Sequence, residues 1–493
     1  MAVVEVVPAT SLTDPWRLAI DPQDGSLLVA ELGASQQIVR FSAAGKELQR
    51  YGRKGGRPAE GAYDGGVGFL GLTTLAAGTN GSIWVAEAYT APRRIAQFDR
   101  GGQLVREWYG PQMYASRCFP DPADHRVVWM DSYWGELIEA EVDYAKRSWT
   151  VKGTWRYGDG YNHEDGMWFV RHHSDQTYLC DESGPRVLRV DRAGRRLVPV
   201  AEVGAAFYPG GNSGWRIPET FRPGPGQWDE GAAKLRDPKD ERSHKPWSFW
   251  WHDADDDGRQ TAAEAVWSEY LLGFPRTSYV DDQLAYHTML SLSWKDHGAW
   301  CGKELAQGQG VLRVAAWTPG GAPHYELAAA SWLPADQQRG ANGLWIDRDG
   351  NRWGCDKQRL MRWNPDGTLA WTVGRPTAGA RPGPGETKSI HRMIGTAHGT
   401  CAVAEIHNSD SGVWDRDGLW VGRLLEAPDL SKTTARAYEL CGENFGGVII
   451  EEPGRPGTAL YYGGTPNAVA VYRITGYADL RRSGGQVSLL PKN

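Results

Sequence analysis

Apolar and polar positions alternate in short runs, and the runs recur along the chain. From Leu18 the sequence reads LAIDPQDGSLLVAELGASQQIVRFSAAGKELQRYG. From Leu72 it reads LTTLAAGTNGSIWVAEAYTAPRRIAQFDRGGQLVREWYG, and from Leu344 LWIDRDGNRWGCDKQRLMRWNPDGTLAWTVG. Each unit has a short apolar strand, a turn (DPQDG, GTNG, DRDG), a second strand and a variable connection. An apolar strand ending in Phe or Trp follows, then a turn and a fourth strand. Asp-Gly and Asn-Gly supply the positive φ that tight hairpins need, so each unit predicts a four-stranded antiparallel meander. One meander cannot bury both of its faces, whereas a ring of them can, blade against blade. Long amphipathic helical windows are nearly absent. The pattern predicts an all-β chain, a single β-propeller over residues 1–493 with seven or eight four-stranded blades.

Weaker copies fill the rest, from about Ser116 to Gly158, from His163, and from near Ser389 and Glu443. A degenerate region starts at Trp215, and its part over 215–280 is a degenerate blade or an insertion. MAVVEVVPA at the start is strand-like and is expected to close the ring against a C-terminal strand such as GQVSLL, which removes the open edges. The three clear units resemble NHL-type repeats, with their apolar-DxxG-apolar-DxxxxRI-x-x-F-x-x-x-G pattern. The resemblance implies a propeller. It does not choose a function, because NHL-type propellers include lyases, hydrolase-like enzymes, protein binders and RNA binders.

One stretch departs from the repeat. In HDADDDGRQTAAEAV, Asp253, Asp255, Asp257, Gly258 and Glu264 match the D-x-D-x-D-G-x5-E pattern of an EF-hand-like calcium loop. Calcium takes six to eight oxygens. Carboxylates at positions 1, 3 and 5 supply one side, the Arg259 carbonyl at position 7 another ligand, and a bidentate Glu264 closes the shell. Thr261, at position 9, is placed to act through water. A sensor needs flanking helices and usually a second loop. Upstream lies the aromatic clump PWSFWW, downstream TAAEAVWSEYLLG can form a short helix or a strand, and WDRDGLWVG at Trp414 reads as a hairpin. The expectation is a single calcium, held in an inserted loop for structural reasons.

Propellers place ligands at the mouth of the central channel, near the starts of the innermost strands. The polar residues expected there are Trp16 and Arg17; Arg117; His163, Glu164 and Asp165; Trp215 and Arg216; Tyr286 and His287; Asn342; His391 and Arg392; Glu443 and Asn444. For an enzyme acting on uronate-containing carbohydrate, a lyase or hydrolase, His163 or His391 is the candidate base. Tyr286 or His287 is the acid, and Arg392 clamps the carboxylate. Trp16, Arg17, Arg117, Trp215, Arg216, Asn342, Glu443 and Asn444 would bind substrate. No G-x-S-x-G, HExxH, Walker or dinucleotide fingerprint is present. His172 and His173 are adjacent, so in a strand they face opposite ways.

Composition narrows the classes. The net charge is -6 and charged residues make up 23% of the chain, which disfavours nucleic acid and anionic membranes as partners. No apolar run reaches the roughly 18 residues of a membrane span, and no signal peptide opens the chain; location stays open between cytoplasm and export. The six cysteines are far apart and form no CxxC pair, so they read as isolated buried thiols. The 24 tryptophans serve both core and recognition, since flat indoles suit sugars, aromatic ligands and protein contacts. Three readings follow. The first is a carbohydrate- or glycoside-active enzyme with a small-molecule or glycan substrate. The second is a non-catalytic binding propeller for protein or glycan, and the third is an enzyme of small-molecule biosynthesis.

Overall fold

The turns set the architecture. At 347–350 the Asp347 carboxylate accepts the amides of Asp349 (3.0 Å) and Asn351 (2.9 Å), and Gly350 takes φ +79°. Side-chain capping of this kind reverses the chain within four residues, and an Asp–Gly pair supplies it without strain. The computed structural model describes residues 7–87, 92–110, 118–132, 135–157, 168–182, 186–205, 248–268, 278–291, 307–325, 331–332, 343–355, 359–374, 390–405, 411–424, 447–465 and 468–481. Among these the regular elements are strands and short 3-10 turns such as Ala262–Glu264.

The strands form eight sheets of three to six strands and one two-stranded hairpin. In chain order the sheets cover 15–51, 72–109, 118–156, 168–268, 279–332, 343–374, 390–424 and 447–474. Every strand pair is antiparallel and most neighbours in a sheet are neighbours in sequence, as in a meander. Gly61–Ala62, from the connection between the first two sheets, adds a fifth strand to the outer edge of the third. Ser248–His252 and Ala265–Ser268 add a fifth and a sixth to the fourth sheet. The described part of 215–280 therefore enters partly as a hairpin grafted onto an existing sheet. The separate hairpin pairs Val314–Trp317 with Pro323–Tyr325 and packs on the fourth sheet.

The sheets stack through their first strands. Pro15–Ile20 packs on Leu72–Ala77, Cys118–Pro120 on Trp168–His173, and Tyr279–Val280 on Gly343–Ile346. Gly343–Ile346 packs in turn on Ile390–Ala397, and that strand on Gly447–Glu451. Gly447–Glu451 also meets Cys118–Pro120, and Leu460 and Tyr462 share a buried cluster with Cys118 and Val128. Meanders stacked by their first strands make the chain a β-propeller. The expected closing segments, Met1–Val6 and 485–490, lie outside the described residues; Val7 packs beside Val29, Val39 and Phe41. The inter-sheet core is aromatic, with Trp129, Trp155, Trp168, Trp251, Trp353 and Trp363 fully buried. Cys118, Cys180, Cys355 and Cys401 are buried. No described helix is long and apolar enough to cross a membrane.

Candidate functional site

Stacking by first strands gathers the starts of these strands at one end of the sheets and their turns at the other. At the starts of these strands the described groups are few and paired. Arg392 is buried, and its guanidinium meets the buried Glu182 carboxylate at 2.8 Å. The pair joins the seventh sheet to the fourth, which are not sequence neighbours. Glu182 also holds the fifth sheet, because its carbonyl accepts the Ser278 amide at 2.7 Å. Arg392 therefore serves as a tie between sheets, where a carboxylate clamp would need an open guanidinium. His391 lies in Ile390–Ala397, and its side chain is outside the described set. Arg117, His163, Glu164, Asp165, Trp215, Arg216, Asn342, Glu443 and Asn444 also fall outside the described residues.

Three expected positions are placed differently. Trp16 and Arg17 lie within the strand Pro15–Ile20 and face solvent, with the Arg17 guanidinium over the Trp16 ring at 4.4 Å. Tyr286 begins the second strand of its sheet, Tyr286–Ser291, and is fully buried. Burial pushes its phenol far above the usual range, and its hydroxyl donates to the Arg186 carbonyl at 3.3 Å. A group so enclosed packs the core, so the expected acid role does not fit Tyr286. The displacement has a simple cause: the first strand of this sheet is only Tyr279–Val280, so the run that starts at Tyr286 forms the second.

His287 therefore sits near the opposite end, where first strands end and turn back. That end is rich in described polar groups. His287 Nε2 meets Asp281 Oδ2 at 2.7 Å, and its buried Nδ1 has no hydrogen-bond partner among the described residues. The other Asp281 oxygen accepts the amides of Gln283 and Ala285, both at 2.9 Å. Burial pushes the Asp281 carboxyl up, but these bonds outweigh it and hold it below the usual carboxylate range. Arg171 donates to the Val280 and Asp281 carbonyls, tying the fourth sheet to the fifth. His172 meets Asp121 at 2.7 Å across the third and fourth sheets, while His173 stacks on Trp317 at 3.7 Å. The two histidines face opposite ways. Arg348 reaches Glu451 at 3.1 Å, and the same carboxylate accepts the His398 amide at 2.8 Å.

A recurring acid escaped the sequence reading. Glu31, Glu87, Asp131 and Asp181 end the second strands of the first four sheets or stand next to their ends, and all are buried. Glu87 faces Arg94 across the register and binds it at 2.9 Å, and Arg57 closes on its other oxygen at 2.9 Å. The signal was legible as VAE, VAE, WMDS and LCDE at matching places in successive repeats.

The acidic loop joins Ser248–His252 to Ala262–Glu264. Carboxylate oxygens of Asp253, Asp255 and Asp257 lie within 4.8 Å of one another. Asp253 is fully buried, and burial followed by the charges of Glu264, Asp256 and Asp257 pushes its carboxyl up. Gly258 takes φ +72°, and its amide points at both Asp253 oxygens, at 3.2 and 3.1 Å. Glu264 folds back over the start of the loop, accepting from Ala254 N (2.8 Å), Trp251 Nε1 (3.1 Å) and Thr261 Oγ1 (2.9 Å). No amphipathic helix flanks the loop: upstream is a strand and downstream a 3-10 turn followed by the strand Ala265–Ser268.

The outer faces carry exposed aromatics. On the second sheet Trp84 and Trp108 stack with ring centroids 5.7 Å apart and planes 12° apart. Ile95 and Trp108, paired across the register, are 51% and 42% exposed, and the Arg106 guanidinium lies 5.6 Å from the Trp108 ring.

No protein-family model and no curated protein matches the chain, so the likeness to NHL repeats and to an EF-hand loop rests on the residues themselves. Among solved structures, Sqt1 of Saccharomyces cerevisiae aligns over 93% of this chain and 95% of its own, at 7% identity and TM-score 0.33. The structure titled Dos1 propeller aligns over 94% and 95%, at 9% identity and TM-score 0.30. The extracellular domain of the putative hybrid two component system BT4673 from B. thetaiotaomicron aligns over 92% of this chain, at 14% identity and TM-score 0.37. The match spans 52% of that chain, about half its length.

Proposed function

We propose that the chain is a non-catalytic binding propeller that recognises a protein or a glycan through an aromatic outer face and is stiffened by calcium. The observation that carries this reading is the exposed group Trp108, Ile95 and Arg106 on the second sheet, backed by the half-buried Trp84 stacked on Trp108. Rigid aromatics and Arg are the residues from which recognition hot spots are built. Arg392, His172 and His287 are each paired with a carboxylate, in pairs that hold sheets or turns together.

Calcium fits the acidic loop by its donor set. Asp253, Asp255 and Asp257 offer hard oxygens that already converge, with the Arg259 carbonyl, Thr261 through water and Glu264 completing the shell. The ion supplies charge neutralisation to a crowded group of carboxylates and holds the grafted hairpin in place.

A carbohydrate lyase or hydrolase is the second reading, and His287 is what favours it. Its ring is oriented by Asp281 while Nδ1 has no partner among the described residues, the arrangement of a backed general base. One experiment separates the two. Wild type, Trp84→Ala/Trp108→Ala and His287→Ala proteins are tested on a glycan array, in quantitative co-purification from source cells, and for turnover of uronate-containing glycans. The binding reading expects retention lost in the tryptophan variant with no turnover in any protein. Turnover abolished by His287→Ala would replace it with the enzymatic one.

A further inference from the structure

We infer that the acidic loop and the His287–Asp281 turn are mechanically one unit, joined by the hairpin of Val314–Trp317 and Pro323–Tyr325. The path is a continuous chain of side-chain and backbone contacts. Asp256, in the loop, accepts from Thr318 Oγ1 at 3.1 Å at the hairpin tip. Thr318 Oγ1 in turn accepts the Ala322 amide at 2.9 Å, so the same hydroxyl sets the tip. Gly320 lies so close to the Asp256 carboxylate that a Cβ there would overlap it. Beside the loop, the His252 ring stacks on His324 at 4.1 Å. From the tip the hairpin runs back to Tyr325, whose buried hydroxyl donates to the Leu284 carbonyl at 2.8 Å. Leu284 holds φ +59° in the turn Asp281–Ala285, and its amide donates to the Asp281 carbonyl at 3.0 Å. That is the turn whose aspartate orients His287.

The hairpin is a stiff member. Trp317 is stacked on His173, Tyr178 Oη donates to the Gly321 carbonyl at 2.6 Å, and Arg189 donates to the Gly320 carbonyl. Ala322 and Tyr325 are buried in the same core cluster as Leu284 and Tyr286. A displacement at the tip has no soft element to absorb it before Tyr325, and packed cores transmit rather than dissipate such shifts. The turn Asp281–Ala285 therefore senses the loop. With Ca2+ in the loop, occupancy would be felt at His287; that extension rests on the calcium reading above.

The test is hydrogen exchange by mass spectrometry on the full chain. Thr318→Val removes the latch on Asp256, and Tyr325→Phe removes the bond to the turn. Thr318→Val should speed exchange over 281–287 by roughly threefold to tenfold, the range for one hydrogen bond transmitted in full, with the first sheet at 15–51 unchanged. In the Tyr325→Phe background the same substitution should add nothing at 281–287. Exchange over 281–287 that stays at the wild-type rate in Thr318→Val overturns the coupling. So does a Thr318→Val effect that persists undiminished beside Tyr325→Phe. In a separate arm, Ca2+ should slow exchange over 281–287 in wild type and not in Thr318→Val. If Ca2+ leaves even 251–268 unchanged, the calcium reading fails, and the variant arm still decides the coupling.

Discussion

Asp281 shows how one residue does several jobs in a tight turn. Its two oxygens hold two backbone amides and one imidazole, and the sum keeps the carboxyl below its usual range despite burial. A carboxyl whose folded pKa is depressed contributes stability that is present above its unfolded pKa, about 3.9, and is lost as pH falls through the folded value. His287→Ala removes one of the bonds that lower it. The variant should be less stable than wild type at neutral pH, and the gap should narrow as the pH is taken from 6 to 2. Urea midpoints across that range check it; a constant gap would mean the imidazole contributes only packing. Sequence alone flagged His287 and missed Asp281, because DDQLAY reads as a turn and nothing in it announces which neighbour its first carboxylate will meet. It also misplaced Tyr286, since a two-residue first strand leaves almost no alternation to read.

At the scale of the element, the acidic loop was the most legible part of the chain. Its carboxylate spacing is local, so the pattern DADDDGRQTAAE needs no tertiary information. What could not be read was its attachment. The strand Ser248–His252 pairs with 201–205, far enough back that only the fold reveals the loop as a graft on the fourth sheet. Gly258 tests how tightly that graft is seated. Its φ is +72°, and a Cβ there would stand 2.7 Å from Val198 Cγ1. Gly25, in a turn of the first sheet, has nearly the same φ, +70°, with nothing within 4 Å. Gly25→Ala should cost about 1–2 kcal/mol, the left-handed backbone penalty alone. Gly258→Ala should cost about 2–4 kcal/mol, with the clash against Val198 added to the same strain. Equal shifts in the two urea midpoints would show that the loop moves aside freely.

At the scale of the molecule, repetition made the fold legible and the pairing between repeats stayed hidden. The hairpin grammar predicted meanders, and meanders stacked by their first strands are what the chain forms. Which sheets meet across the axis, as Arg392 and Glu182 do, depends on geometry that no single repeat contains. The same distinction bears on calcium. An ion that binds only the folded chain stabilises it by about 2.7 kcal/mol at a hundred times its dissociation constant. If all 493 residues unfolded as one unit, the unfolding entropy would be on the order of 1 kcal/mol per kelvin, and chelation would lower Tm by only about 3 °C. If the fourth and fifth sheets, which the loop and hairpin clasp together, melt on their own, the same free energy acts on a smaller entropy. Those sheets should then lose about 6–10 °C while the first two hold. Calorimetry with and without chelator, followed by the near-ultraviolet signal of Trp251 against a Trp251→Phe variant, reads both numbers. A thermogram that chelator leaves unmoved would remove calcium from the description of this protein, and a single small uniform shift would make the propeller one cooperative body.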